Sequence, residues 1–522
     1  VLVSTLISKK KMMKKIIYSI CIISIIGIVG GCKKFLDQKP LNSVPNSEFF
    51  KSLKDINSAL AGVYSSFQES MTGTGANFSG FYFQWGELRS DNFDDNGQYS
   101  AASYKELSQN ALTSGNASAN WTGFYKTIGR CNTSIKYIPQ AASYDANATP
   151  TVVNNALAQC YAMRALCYFY IIRIWGDPVV WTEPYADVSK EDEKPRSSKD
   201  SVLKNLVIPD LEKAYSLIQK NQTSTVWNIN EAAICAIAAD VYMWKSHDNI
   251  IQPDYAKAIS WIQNLFKAKA PTGKVYGGTS GGDLEPGSNF KALFLDPSKT
   301  KESIWSIHWD NIVNGCACIP VSVGLSNNQA RFDSSLQVNW RAVKTDIRMP
   351  LTIDTLNGLG HNDKLLKYFN MSGVYSMPSG LIATDLNVFL VMYRLGDIYL
   401  TYAEALNKTG DLANALKYLN FIRVRAGLPA YAAADPAVSA ANMENTILSE
   451  RRFELYGEGK RWWDLVRTGK VVEVMNPILK QRQHRLGTAE VGFAGAPDKI
   501  LWPLYRTLLE DNKKLVQNPS YN

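Results

Sequence analysis

A mostly α-helical fold is predicted by three features of the 522-residue sequence. Four pairs of segments carry apolar residues at 3.6-residue spacing, the period that gives a helix one buried face. One of these pairs contains an L-G-x2-Y element of the tetratricopeptide kind, a helix-pair repeat that stacks on its neighbours. Runs that alternate apolar and polar residues, as strands do, are few and short, 303–309 being the clearest. The expected architecture is four tetratricopeptide-like helix pairs with an irregular loop-rich lobe and a few short strands.

Before the first pair, Lys14 and Lys15 precede an apolar run over 16–29, which ends in Gly30, Gly31 and Cys32. A charged start, a short apolar stretch and small residues before the cut describe a secretory signal. The run falls short of the roughly 20 residues that a membrane-spanning helix needs. Cysteine after two glycines fits the bacterial lipobox, in which the cysteine is diacylated; an uncleaved signal anchor is the alternative. Residues 1–31 are therefore expected to be a lipoprotein signal peptide, with Met12 or Met13 as the true start and Cys32 as the lipidation site. Residues 32–47 read as a polar, proline-containing tether and 48–522 as a single domain. Its helical scaffold is expected over about 48–270 and 391–470, and its loop-rich lobe over about 70–120 and 270–390.

The pairs follow in order. The first covers 49–69 and 121–137, with a long insertion between; the second 155–175 and 201–219; the third 230–244 and 255–266; the fourth 391–407 and 412–425. In the fourth, Leu395-Gly396-Asp397-Ile398-Tyr399 supplies the repeat element, followed by Ala403 and Ala415. Small residues there let two helices approach while the tyrosine fills the gap to the neighbour. Gly410-Asp411 reads as the turn, glycine taking left-handed backbone and aspartate capping the next helix. The third pair has a weaker version in Ala239, Tyr242, Tyr255, Ala258 and Ile259. Residues 270–387 are rich in Gly, Pro, Ser and Asn, a composition for loops.

Composition bounds the function. Loss of the signal segment removes five lysines and no acids, so the formal charge falls from +9 to +4. The remaining basic residues are scattered, and nucleic acid is not indicated as a partner. Of the eight cysteines, Cys131, Cys160, Cys167 and Cys235 read as small buried hydrophobes. Cys316 and Cys318 are too close to bridge easily and have no second ligand pair for zinc.

Candidate catalytic and metal motifs fail on context. Gly278-Thr279-Ser280-Gly281-Gly282 matches G-x-S-x-G, but no good strand precedes it and Asp283-Leu284-Glu285-Pro286 opens no long helix, so it reads as a flexible loop. His247, His308, His361 and His484 lack metal-ligand spacing. Asp91, Asp94 and Asp95 cluster, but a calcium loop with Gly97 in the glycine position would place Ser103 where glutamate is required. Neither a metal nor a cofactor is expected.

The remaining motifs carry a resemblance. Arg164-Ala165-Leu166-Cys167-Tyr168-Phe169 running to Trp175-Gly176-Asp177-Pro178 resembles the "RA-x-x-Y-F … Y-G-D-x-P" helix of the SusD/RagB family. Asn420-Phe421-Ile422-Arg423-Val424-Arg425-Ala426-Gly427-Leu428-Pro429 is similar to its "N-x-I-R-x-R-A-G-L-P". Glu450-Arg451-Arg452-Phe453-Glu454-Leu455 and Glu458-Gly459-Lys460-Arg461-Trp462-Trp463-Asp464-Leu465 resemble its "E-R-R-x-E-L … E-G-x-R-W-x-D-L". Gln517-Asn518-Pro519-Ser520-Tyr521 is similar to its closing "Q-N-P-G-Y". Trp502-Pro503-Leu504-Tyr505 departs from the "P-I-P" of many relatives. From the residues alone, Glu450, Arg451, Glu454, Glu458, Arg461 and Asp464 recur at i,i+3 or i,i+4 spacing and are expected to pair along helices.

The resemblance implies a SusD-like fold and a non-catalytic, cell-surface lipoprotein of the outer membrane. Such a protein captures oligosaccharides and delivers them to a SusC-like TonB-dependent transporter. A peptide-capturing RagB-like role is the alternative, and a surface glycoside hydrolase a more distant one. Sugar rings stack their C–H faces on flat aromatics, with polar side chains orienting the hydroxyls. Among the 13 tryptophans, those outside helical motifs are Trp85, Trp181, Trp227, Trp305, Trp309 and Trp340. Alternation over 303–309 makes Trp305 core and lets Trp309 leave at the strand end. The expected platform is Trp309, Trp340 and Tyr99, helped by Asp94 and Arg341.

Overall fold

The computed structural model describes residues 46–72, 80–95, 97, 100–185, 193–310, 330–353, 365–368, 389–493 and 495–521. Cys32, Tyr99, Cys316 and Cys318 lie outside these. The chain divides into two units, 1–51 and 52–522. In the first, a single turn Asn46–Phe49 carries an exposed Glu48–Lys51 ion pair.

The second unit is built on the eight helices of the four expected pairs. They are α1 (Leu53–Thr72) with α2 (Thr122–Tyr137), α3 (Pro150–Trp175) with α4 (Ile208–Leu217), α5 (Glu231–Met243) with α6 (Tyr255–Lys267), and α8 (Leu395–Lys408) with α9 (Leu412–Arg425). Between α6 and α8 comes a shorter helix, α7 (Ser334–Ala342). After α9 come α10 (Met443–Glu454), α11 (Arg461–Arg467) and α12 (Val471–Arg485). Each pair packs on itself and on the next, α2 on α3, α4 on α5 and α6 on α8, so the pairs form one stacked series.

Helix ends follow their sequence signals. Pro150 opens α3 behind Thr149, whose hydroxyl accepts the Val152 N–H, and Gly176 at φ +84° ends it. Asn230, Asp254 and Asp411 cap α5, α6 and α9 in the same way. Gly410, at φ +88°, makes the turn expected of it. Ala258 of α6 and Ala405 of α8 are fully buried against Met243, with Tyr242, Tyr255 and Ile259 packed around them. Small residues at this crossing join the third pair to the fourth.

The sequence reading placed the fourth pair's first helix at 391. Residues Leu390–Arg394 are instead β4, and α8 begins at Leu395. A short apolar run does not distinguish helix from strand, and here a partner decides. The strand β2 (Ser303–Ile307) pairs antiparallel with β4, setting Ser303 opposite Arg394 and Ile307 opposite Leu390. A second ribbon joins β1 (Phe93–Asp95) to β3 (Ala330–Phe332), with Asp94 opposite Arg331.

The charged motif after α9 also departs from expectation. Most of its side chains are buried and pair with distant segments. Arg394 uses all five N–H donors: on Glu458 (2.9 and 2.8 Å), Glu302 (3.0 Å), Glu454 (2.5 Å) and the Glu454 carbonyl (2.7 Å). Arg348 binds Glu450 and Asp346, each at 2.7 Å, and Arg425 reaches Glu302 and Glu454. Arg461 forks onto Asp91 at 2.8 and 2.9 Å. Only Asp464–Arg467, at 2.9 Å, keeps helical i,i+3 spacing within this motif's helix. Gly396 fits this network rather than a helix crossing: a Cβ there would lie 2.5 Å from Arg394 Nη1 and 2.8 Å from Glu302 Oε1.

Candidate ligand-binding site

Two of the expected platform residues are interior. Trp340 is fully buried, its ring 5.0 Å from Phe453 and 5.7 Å from Tyr456, and its Nε1–H donates to Asp346 at 3.0 Å. Its segment was read as loop, but it is helix α7, and Trp340 stands four residues after buried Leu336 on the inward face. No ring face is left for a sugar. Trp309 is 6% exposed. Both faces of β2 are buried, and Trp309, two residues past its end, is covered as well instead of emerging at the surface there.

Asp94 is held in β1 by arginines. Its carboxylate meets Arg485 at 2.7 Å and Arg482 and Arg331 at 3.4 Å each. Burial pushes its pKa up, but those guanidiniums outweigh burial and hold it below the ordinary carboxylate range. Arg341 is half-buried on α7. Asp94 and Trp340 stand on neighbouring elements, because α7 follows directly on β3, whereas Trp309 belongs to the other ribbon. The acidic cluster is no calcium loop in form: Asp91 is forked by Arg461, and Asp95 accepts the Ser108 hydroxyl at 2.9 Å. Among the described residues, no group of three His, Cys, Asp or Glu side chains could hold a metal ion.

Open aromatic surface occurs where the β2–β4 ribbon ends. His308 follows β2 and Phe389 precedes β4, so the Ile307–Leu390 register sets them side by side, 5.1 Å between ring centroids. Trp227 closes the triangle, 4.9 Å from His308 and 5.0 Å from Phe389. The loop bearing Trp227 is pinned to the strand: Ser306 N–H donates to the Val226 carbonyl at 2.7 Å, and Asn230 Nδ2 donates to the Ile304 carbonyl at 3.0 Å. His308 is exposed, while Trp227 and Phe389 are half-exposed. Gln68, from α1, donates to the His308 carbonyl at 2.6 Å. Below them Trp305 is fully buried and stacks on Phe67 at 5.8 Å, as the alternation predicts.

Three clustered rings held by backbone contacts, partly open to solvent and with amide side chains beside them, offer an apolar surface with polar neighbours. This is the combination suited to a flat polyhydroxylated ligand. Trp227 was among the tryptophans outside helical motifs, but nothing in one sequence ranks it above the others. The register that pairs it with His308 and Phe389 depends on a strand hidden in an apparent helix.

The chain was compared with known proteins. Residues 383–521 match a family model described as "SusD family", and 34–243 match one described as "Starch-binding associating with outer membrane". A "SusD-like protein P38" of Formosa agariphila is 28% identical, over 98% of this chain and 100% of its own length. A "SusD-like protein" of Bacteroides ovatus is 23% identical over 83% of this chain and 78% of its own. Among solved structures, a SusD superfamily protein from Bacteroides thetaiotaomicron superposes with a TM-score of 0.69 at 21% identity, covering 91% of this chain and 99% of that one. A "Laminarin binding SusD-like protein" superposes at 0.67, also at 21% identity, covering 90% and 100%.

Proposed function

Because this chain belongs to the SusD/RagB family, we propose that it captures an oligosaccharide at the cell surface and delivers it to a SusC-like TonB-dependent transporter of the outer membrane. It is a binding protein and not an enzyme. On this reading Cys32 carries the lipid that tethers the chain, and the description of the model matched by 34–243 supports an outer-membrane setting. The observation that carries the ligand reading is the Trp227–His308–Phe389 surface. It is built from separate segments, yet rigidly placed by the ribbon and the Trp227 loop.

The laminarin-binding relative makes laminarin oligosaccharides the first ligands to test. Isothermal titration calorimetry should give saturable binding that weakens at least tenfold in Trp227→Ala and Phe389→Ala. Normal affinity in both variants, or no binding across a panel of glycans, would remove the surface from consideration.

A further inference from the structure

A second recess shares no residue with the aromatic surface. It is a groove of about 720 Å³ between α9 and the segment 281–287 that crosses beside it. Leu284 and Pro286 form one wall. On the other, Lys417, Phe421 and Val424 follow one another at i, i+4 and i+7 along one face of α9. Val424 is 60% exposed, a large aliphatic side chain left open on the outer side of α9.

The charges of the groove are unbalanced. Lys417 is exposed and has no carboxylate partner among the described residues; its ammonium lies 5.7 Å from the Phe421 ring. Lys301 Nζ donates to the Gly282 carbonyl, at 2.5 Å, and has no carboxylate partner among the described residues. Glu285, the acid of the lining, is turned inward, accepting the Lys301 backbone N–H at 2.7 Å and Asn289 Nδ2 at 2.8 Å. Arg425 is committed to Glu302 and Glu454. Two ammonium groups without a carboxylate partner among the described residues thus border the trough.

A sugar suits this groove poorly. Its aromatic ring, Phe421, is covered by the backbone at Gly281, where a Cβ would stand 3.3 Å from the ring, and lies edge-on to Tyr418 at 5.6 Å. Stacking needs an open face, whereas the exposed Val424 and Pro286 suit an aliphatic side chain.

We propose that this groove docks an extended acidic peptide segment of a partner protein, an aliphatic side chain seating on Val424 and Pro286 and flanking carboxylates pairing with Lys301 and Lys417. Fluorescence anisotropy of the mature chain with a labelled decapeptide alternating glutamate and leucine tests it. Saturable binding is expected, weakened at least tenfold by Lys417→Glu and by Val424→Asp, reduced by salt, and absent for the same peptide with lysine in place of glutamate. Both positions are exposed, so melting curves should match the parent; if Val424→Asp shifts its curve, Lys417→Glu alone decides. Lack of saturable binding, or equal binding by parent and Lys417→Glu, overturns the proposal. Tighter competition by oligogalacturonate than by unlabelled peptide overturns it in favour of an acidic sugar. Laminarin affinity should be unchanged in both variants, which separates this site from the aromatic surface.

Discussion

Arg394 grips Glu458, 64 positions later in the chain, through two parallel hydrogen bonds: Nε to Oε2 at 2.9 Å and Nη2 to Oε1 at 2.8 Å. Both side chains are about 1% exposed. Burying a charge is costly unless it is paired, so removing one partner is worse than never having the pair. Arg394→Met should strand Glu454 and Glu458 and cost about 3–5 kcal/mol of stability. Urea denaturation of the parent and variant measures the loss.

Gly396 tests the same network by volume rather than charge. Gly396→Ala places a methyl group against Arg394 and Glu302, and overpacking of this kind costs about 1–3 kcal/mol. Helix propensity alone would favour alanine by nearly 1 kcal/mol, so the sign of the change in melting temperature separates the two effects. A lower value is expected.

Stability should depend on pH in two opposed ways. Burial alone would raise the pKa of Asp91, Asp397, Glu454 and Glu458, but the cations beside them outweigh it and hold all four below the ordinary range. Unfolded carboxyls titrate near about 4, so on acidification the unfolded chain takes up these protons first. The stabilisation is therefore complete above about pH 5 and is lost as pH falls through 4 toward the folded values. Glu87 runs the other way, burial raising its pKa to about 7. Its contribution weakens as pH rises from about 4.5 to 7. Calorimetric melting should peak in mildly acidic buffer and fall steeply below pH 4. Glu87→Gln should flatten the decline toward neutrality and leave the acid limb in place.

Trp340 and Trp227 should separate cleanly. Trp340→Ala opens a cavity in the core and should cost about 3–5 kcal/mol of stability. Trp227→Ala should leave melting near the parent and cost about 2 kcal/mol of ligand binding. Paired denaturation and calorimetry on both variants check the contrast.

Most helices were legible because their signals are local. The spacing of apolar residues, Thr149 before Pro150, and Gly410-Asp411 each act within a turn of the chain. What was missed depends on residues far away. Residues 390–394 look like the first turn of α8 until β2 supplies their hydrogen bonds. Glu450, Glu454 and Glu458 have the spacing of a solvated, self-paired helix face, and nothing local reveals that Arg348, Arg394 and Arg425 cover them. Trp340 falls within a Gly- and Asn-rich region whose composition suggests loop, although Leu336 four positions earlier marks its side as buried. Of the six tryptophans outside helical motifs, the fold buries Trp85, Trp305, Trp309 and Trp340 and leaves Trp181 and Trp227 partly exposed.

The buried ionic cluster also sets an order of events. A ribosome releases Glu302, Arg348, Arg394 and Arg425 before it makes Glu450, Glu454 and Glu458. Until those three acids emerge, three guanidiniums have only Glu302 and Asp346 to set against their charge. Earlier helix pairs can close without those acids, but the fourth cannot close over an unbalanced interior. The E-R-R-x-E-L segment therefore works as a latch: a fragment ending at α9 would stay ajar however complete its other helices were.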